Sequence, residues 1–335
     1  MTLRDRFQRP LRDLRISVTD RCNFRCTYCM PREHFGSEHA FLPRSDLLTY
    51  EEIVTVVKSL VPAGLEKVRL TGGEPLLRSD IAALVRLLKE AGPHIDLAMT
   101  TNGALLSNHA QELADAGLNR VTVSLDALNP TTFATMADTT KTTPETVLEG
   151  LESAKKAGLV VKVNTVVRRG VNENEILPLA EACSELGVPL RFVEFMDVGN
   201  TNAWQLEEVV SGAEVRAVIE GRFGPLTPHK GQKVHEVARR FATAEGQEFG
   251  FINSVTQPFC GDCSRARLSA NGSLYTCLFS SEGHDLKGLL RMQATTDEVQ
   301  EAIKSLWTDR NDQYSVERHQ HQDVATKVEM SFIGG

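Results

Sequence analysis

The sequence predicts an α/β fold: an incomplete (βα)6 TIM-type barrel, open along one side, with a small C-terminal α+β region. Three observations carry this reading. Short β-branched runs alternate with helical patterns from Arg12 to about Gly199, and polar residues suited to chemistry follow the strand candidates. Two cysteine triads bracket the chain: Cys22, Cys26 and Cys29 in a C-x3-C-x2-C run, and Cys260, Cys263 and Cys277 in a C-x2-C-x13-C run. Six repeats rather than eight leave a barrel incomplete, with ligands expected at the C-terminal ends of its strands. A doubly wound sheet is the competing arrangement.

Strands are expected at Leu14–Val18, Lys67–Leu70, Asp96–Met99, Arg120–Leu125, Val160–Val167 and Leu190–Phe195, all parallel. Helix starts are marked by Thr49 with Glu52, by Asn172 with Glu175, and by Thr143 before Pro144. Ala-Gly-Leu at residues 63–65, 116–118 and 157–159 places glycine where a left-handed helix C-cap precedes a strand. Cys22 follows the first strand, Gly72-Gly73-Glu74 the second, Thr100-Thr101-Asn102 the third and Met196 the sixth, while Ser124 and Asp126 end the fourth. After Gly199 the pattern changes to a helix near Ala213–Glu220 and strand-like pieces at His235–Ala242 and Glu248–Ile252. Asn271-Gly272 signals a hairpin that folds Arg265–Ser269 against Leu274–Cys277 and returns Cys277 to its partners. Two regions follow: residues 1–200 as the partial barrel, and residues 201–335 as the second cysteine site with a diglycine tail, closing the open side.

Composition narrows the class. With 335 residues and 41% apolar content the chain can bury a large core. Seven cysteines in a chain of this size, with no N-terminal apolar segment, point to a reducing cytoplasm rather than to disulfides. No run approaches the roughly 20 apolar residues of a membrane span. A net charge of −7 argues against a nucleic-acid binder, although arginines crowd the first 25 residues. Those arginines read as a solvated charged face or, less well given Asp5, Asp13 and Asp20 among them, as a transit peptide. Cys183, within a helical stretch, is expected as a buried hydrophobe, and His284, His319 and His321 have no ligand spacing with the triads.

Three thiolates cannot close a four-ligand site. An iron–sulfur cube takes one ligand per iron, so a triad leaves one iron free to bind a reactant. The alternative is zinc with His34 or His39 as a fourth ligand. There is no G-x-x-x-x-G-K-[ST] loop, so phosphate recognition would fall to arginine and lysine side chains.

CNFRCTYCMP followed by LTGGEP resembles the radical S-adenosylmethionine superfamily. The match from DRFQRPLRDLRISVTDRCNFRCTYCMP through RFVEFMDVGN and FINSVTQPFCGDCSRARLS to Gly334-Gly335 resembles, within it, the GTP 3′,8-cyclase family of molybdenum cofactor biosynthesis. The resemblance implies two 4Fe–4S clusters, one on each triad, with Tyr28, Gly73, Ser124 and Met196 holding S-adenosylmethionine. It implies GTP contacts from Arg15, Arg69, Thr100, Lys162, Ser264, Arg265, Ala266 and Arg267, and a catalytic reach of Gly334 and Gly335 into the site. A 5′-deoxyadenosyl radical would take hydrogen from C3′ of GTP, and C3′ would join C8 to give (8S)-3′,8-cyclo-7,8-dihydroguanosine 5′-triphosphate. A one-electron reductant and cyclic pyranopterin monophosphate synthase as recipient of the product are implied as partners, with homodimerisation left open. Ser264 and Ala266 depart from the asparagine and larger aliphatic residue common in relatives. The rival readings are a peptide-modifying radical enzyme with an auxiliary cluster and a zinc-stabilised RNA-binding module.

Overall fold

The computed structural model describes residues 2–232, 236–318 and 326–334, so Gly335, His319, His321 and the start of the His235 strand candidate lie outside the described residues. Its strands are β1 (Asp13–Ser17), β2 (Lys67–Thr71), β3 (Asp96–Thr101), β4 (Arg120–Ser124), β5 (Val160–Val167), β6 (Leu190–Glu194), β7 (Thr227–Pro228), β8 (Arg239–Ala242), β9 (Glu248–Ile252), β10 (Arg265–Leu268), β11 (Ser273–Tyr275) and β12 (His284–Asp285). They form one sheet in the order β12-β11-β10-β1-β2-β3-β4-β5-β6-β9-β8-β7.

The six parallel strands stand where the sequence places them, but the parallel run is eight strands long. β10 pairs parallel to β1, and β9 pairs parallel to β6. The C-terminal region therefore extends the β1–β6 run on both sides. The strand order is linear, and hairpins β10–β11–β12 and β7–β8–β9 cap its two ends with antiparallel pairs. This is an α/β partial barrel, not a doubly wound sheet, whose strand order would reverse at a switch point.

Period-two alternation sets what faces where. In β5, Val161, Val163 and Val167 join the main hydrophobic core with Leu151 and Ala154 of the helix Pro144–Lys156, while Lys162, Asn164 and Val166 line an interior cavity. In β1, Leu14 and Ile16 go to the core and Asp13 and Arg15 to the cavity. Thr49 and Glu52 form the expected capping box at the helix Tyr50–Leu60, and Thr143 caps the helix that begins at Pro144. Gly64, Gly117 and Gly158 have φ of 95°, 100° and 84°, as left-handed C-caps require.

Asn172 and Glu175 do not form a capping pair. Asn172 Oδ1, the atom that would cap, accepts instead from the Arg168 amide at 2.8 Å, while Glu175 Oε2 accepts from the amides of Leu128 and Asn129 in the loop after β4. Cys183 is buried on the helix Ile176–Glu185. None of the described helices is long and apolar enough to cross a membrane.

Candidate functional site

A cavity of about 880 Å³ runs through the barrel, and all six cysteines of the two triads line it. They enter from opposite ends. The first triad follows the C-terminal end of β1, whereas Cys260 and Cys263 precede β10, whose start lies beside the start of β1 through the pairing of Asp13 with Arg265. The β10–β11 register, Arg267 with Tyr275 and Leu268 with Leu274, continues to set Cys277 opposite Arg265, as the Asn271-Gly272 turn predicts. Five residues of β1 at about 3.3 Å each separate the two ends by roughly 16 Å.

The first triad is held by the strand-end loops around it. The Gly73 amide donates to the Thr19 carbonyl and the Glu74 amide to the Arg21 carbonyl, both at 2.8 Å. A Cβ on Gly73 would be built into that Arg21 carbonyl, so the close approach of two backbones requires glycine there. Buried Glu74 then accepts from Leu76 N, Thr101 Oγ1 and Asn102 N, locking the loops after β2 and β3 together. Asn102 in turn reaches the Cys22 thiol at 3.8 Å. Tyr28 is pinned by its hydroxyl, which donates to Asp126 Oδ2 at 2.7 Å, while Asp126 Oδ1 accepts from the Val166 amide.

The donor sets fit iron–sulfur cubes. No thiol is in a disulfide, and the three cysteines of each triad line one cavity, as one thiolate per iron with one iron left open requires. Burial and mutual repulsion raise the pKa of Cys26 and Cys29, a crowding that a cationic metal core relieves. At the other end burial would raise Cys263, yet Arg265 and Arg310 outweigh it and bring it to about 6.

Between the triads the wall is cationic in a specific order. Arg265, Asp13, Lys67 and Asp96 stand in register across four strands with alternating sign. One step further along, Arg267, Arg15 and Arg69 stand in register with no carboxylate among them. Arg15 is pushed down to about 9 by burial and then by Arg69, and Arg69 to about 10 chiefly by burial. Both still carry their charge at neutral pH. The Nε atoms of Arg15, Arg69 and Arg191 are buried without hydrogen-bond partners, and neither Arg69 nor Lys162 forms an ion pair among the described residues. Neither side chain is therefore neutralised by a carboxylate within ion-pair distance among the described residues. A row of under-neutralised guanidiniums is a receptor for a polyanion.

Most of the expected residues meet in this cavity: Arg15, Arg69, Thr100, Lys162, Ser264, Arg265, Arg267, Tyr28, Gly73, Ser124 and Met196 all line it. Arg15, Arg69 and Lys162 sit within their strands, deeper than the C-terminal ends anticipated for them. Ala266 does not line the cavity; alternation along β10 turns its side chain into the hydrophobic core between the two arginines. Gly334 reaches the site, its carbonyl accepting from Arg267 Nη1 and its Cα beside Thr71. The lining residues that sequence reasoning did not single out include Asn164 and Arg191, and Arg191 Nη2 donates to Thr122 Oγ1. The signal for Arg191 was available, a charged residue alternating within the apolar strand Leu190–Glu194.

Comparison with known proteins agrees with this geometry. The model of the radical SAM superfamily matches residues 16–183, and that of Molybdenum Cofactor Synthesis C matches residues 188–316, so each carries one triad. The chain is 48% identical to GTP 3′,8-cyclase of Acidothermus cellulolyticus and 44% identical to GTP 3′,8-cyclase of Staphylococcus aureus, with 99% of both chains covered in each case. Among solved structures, Streptococcus suis SuiB bound to precursor peptide SuiA superposes with a TM-score of 0.59 at 15% identity, over 90% of this chain and 65% of that one, a likeness of fold alone. With one family model on each triad and identity that runs from end to end, the chain belongs to the GTP 3′,8-cyclase family of the radical S-adenosylmethionine superfamily.

Proposed function

We propose that this chain converts GTP to its 3′,8-cyclised product, the first step of molybdenum cofactor biosynthesis, inside the cavity between the two triads. The observation that carries the reading is the in-register row Arg267, Arg15 and Arg69 lying between two cysteine sites in one chamber. Cys22, Cys26 and Cys29 would hold one 4Fe–4S cluster and Cys260, Cys263 and Cys277 another. When bound, the first cluster with S-adenosylmethionine supplies a primary carbon radical able to take hydrogen from C3′ of GTP.

The protein's share is binding, orientation and exclusion of water. The three arginines, with Lys162 and Arg191, take the triphosphate as charge-assisted hydrogen-bond donors, which fixes the nucleotide along the barrel axis. Arg265 and the Ser264 backbone set the base beside the second triad, and Thr100, held at 3.0 Å from Arg69 Nη1, fixes that guanidinium. Tyr28, Gly73, Ser124 and Met196 hold S-adenosylmethionine at the strand ends, Asp126 keeping Tyr28 in place. Gly334 and Gly335 close the chamber from the tail. Fixing C3′ and C8 of one substrate in reach of each other makes ring closure intramolecular, and a dry chamber protects the radical.

By role the chain divides near residue 200, the first part generating the radical and residues 201–335 presenting the nucleotide. A one-electron reductant, cyclic pyranopterin monophosphate synthase as acceptor of the product, and a cytoplasmic setting complete the reading. The test is an anaerobic single turnover with S-adenosylmethionine, reductant and GTP deuterated at C3′. Deuterium in 5′-deoxyadenosine is the expected result. Unlabelled 5′-deoxyadenosine would keep the radical chemistry and remove GTP as the hydrogen donor.

A further inference from the structure

Three charged residues that the proposed reaction does not use are buried behind the second triad. Asp5, Arg9 and Arg310 are 2%, 2% and 4% exposed. Asp5 Oδ2 accepts from Arg9 Nε at 2.6 Å and from Arg310 Nη1 at 3.1 Å, and Asp5 Oδ1 accepts from the amides of Phe7 and Arg9. Each arginine then grips the backbone of one ligand cysteine. Arg9 Nη1 donates to the Cys260 carbonyl at 2.9 Å, and Arg310 Nη1 donates to the Cys263 carbonyl at 2.9 Å. Arg9 also holds the Asp312 carbonyl, Arg310 stacks on Trp307 at 4.5 Å, and the Trp307 indole donates to the Arg9 carbonyl. The N-terminal strap and the last long helix thus meet on the loop Cys260–Cys263.

Burying two guanidiniums and one carboxylate is costly unless the geometry returns it. Packing alone would be served more simply by apolar side chains. What the charges add is a field: two positive groups bonded to the ligand loop, with one negative group set back behind them. Asp312 lies nearer the surface and meets Arg310 Nε at 3.2 Å, offsetting part of that field under solvent screening. Positive charge and hydrogen bonding around an iron–sulfur centre favour its reduced form and raise its potential.

We propose that Asp5, Arg9 and Arg310 form an outer shell of the second metal centre, holding the Cys260–Cys263 loop in its ligating conformation and setting the reduction potential of that centre. They are positioning residues, not catalytic ones, and the proposal rests on the assignment of a cluster to the second triad. The test is an anaerobic redox titration, followed by electron paramagnetic resonance, of full-length reconstituted protein carrying Arg310→Met, Arg310→Lys or Asp5→Asn. The second centre's signal is the one lost in Cys277→Ala.

The expected pattern is a shift of opposite sign in the two neutralising variants: a lower midpoint in Arg310→Met and a higher one in Asp5→Asn. Arg310→Lys should stay near the parent, and the first centre should be unmoved throughout. Loss of only the second centre in Arg310→Met, restored in Arg310→Lys, would also support the shell. Shifts of one sign, no shift at full iron content, or loss of both centres would overturn it. If the unsubstituted protein has no signal for Cys277→Ala to remove, the cluster assignment itself falls, a result distinct from unmoved midpoints.

Discussion

Replacing Arg15 by methionine should make the ligand-free protein more stable and its grip on GTP weaker. Arg15 is the middle member of the in-register row with Arg267 and Arg69, on strands about 4.8 Å apart. Unit charges about 6 Å apart repel by roughly 3 kcal/mol at an effective dielectric constant of about 20. Arg15 feels that from both sides, less what Asp13 returns. Its depression to about 9, from burial first and Arg69 second, is a cost on the order of 5 kcal/mol at the ceiling.

Methionine keeps the aliphatic volume, and Asp13 keeps Arg265 in register on one side and Lys67 at 3.8 Å on the other. A net gain of about 1–3 kcal/mol in the free protein is expected after side-chain relaxation, seen as a higher melting temperature by calorimetry of the cluster-loaded protein. Loss of charge-assisted bonds worth about 1.5–3 kcal/mol should weaken GTP binding about 10- to 150-fold in anaerobic titration calorimetry. A lower melting temperature, or a Kd changed by less than about twofold, would refute the idea that the row is held for the substrate at the protein's expense.

Two further outcomes follow from neighbouring groups. Lys67 is pushed down to about 7 by burial and then by Arg69. It is largely neutral above that pH in the free protein and is drawn back to its charged form by bound triphosphate. GTP affinity should therefore fall as pH rises from about 7.5 to about 9, with proton uptake on binding, by up to about tenfold per pH unit. The stability of the free protein should rise over the same range, because the unfolded lysine keeps its proton there and the folded one does not. Lys67→Met should flatten the affinity profile, and a pH-independent Kd in the parent protein would exclude Lys67 as the titrating group. The tail offers the other outcome. Asp197 accepts from Tyr314, Arg318 and Lys327 at 2.5, 3.0 and 2.9 Å, which tethers the segment leading to Gly334. Asp197→Asn should cost about 1.5–3 kcal/mol of that tether, speed amide exchange over residues 326–334 and reduce cyclised product at unchanged iron content. Exchange equal to the parent's would show that the tether lies elsewhere.

What could be read from the chain was what is local. Alternation along β5, the capping box at Thr49 and Glu52, the left-handed glycines and the Asn271-Gly272 hairpin each concern residues a few positions apart, where backbone preference decides the outcome. The cysteines and most of the residues expected to touch GTP or S-adenosylmethionine were likewise visible through motif and resemblance. The arginine row was not visible as a row, because register between β10, β1 and β2 joins segments from both ends of the chain with no local signal. The same cause hid the pairing of β9 with β6 and of β10 with β1, and the meeting of Asp5, Arg9 and Arg310. Asn172 and Glu175 failed as a capping pair because the Arg168 amide takes the Asn172 oxygen and the distant loop after β4 takes the Glu175 carboxylate. Ala266 was read from its place in a motif, where strand alternation puts it in the core.

The placement of β9 and β10 on opposite sides of the β1–β6 run also bears on how the protein is made. As the chain leaves the ribosome, β1 to β6 emerge first, with β1 and β6 both exposing unpaired backbone along an edge, the kind of surface that recruits stray strands. Neither edge is covered until the last third of the chain has been synthesised. A protein halted before that point would own the residues that start a radical and lack the arginine at position 267, the second set of cysteines and the tail.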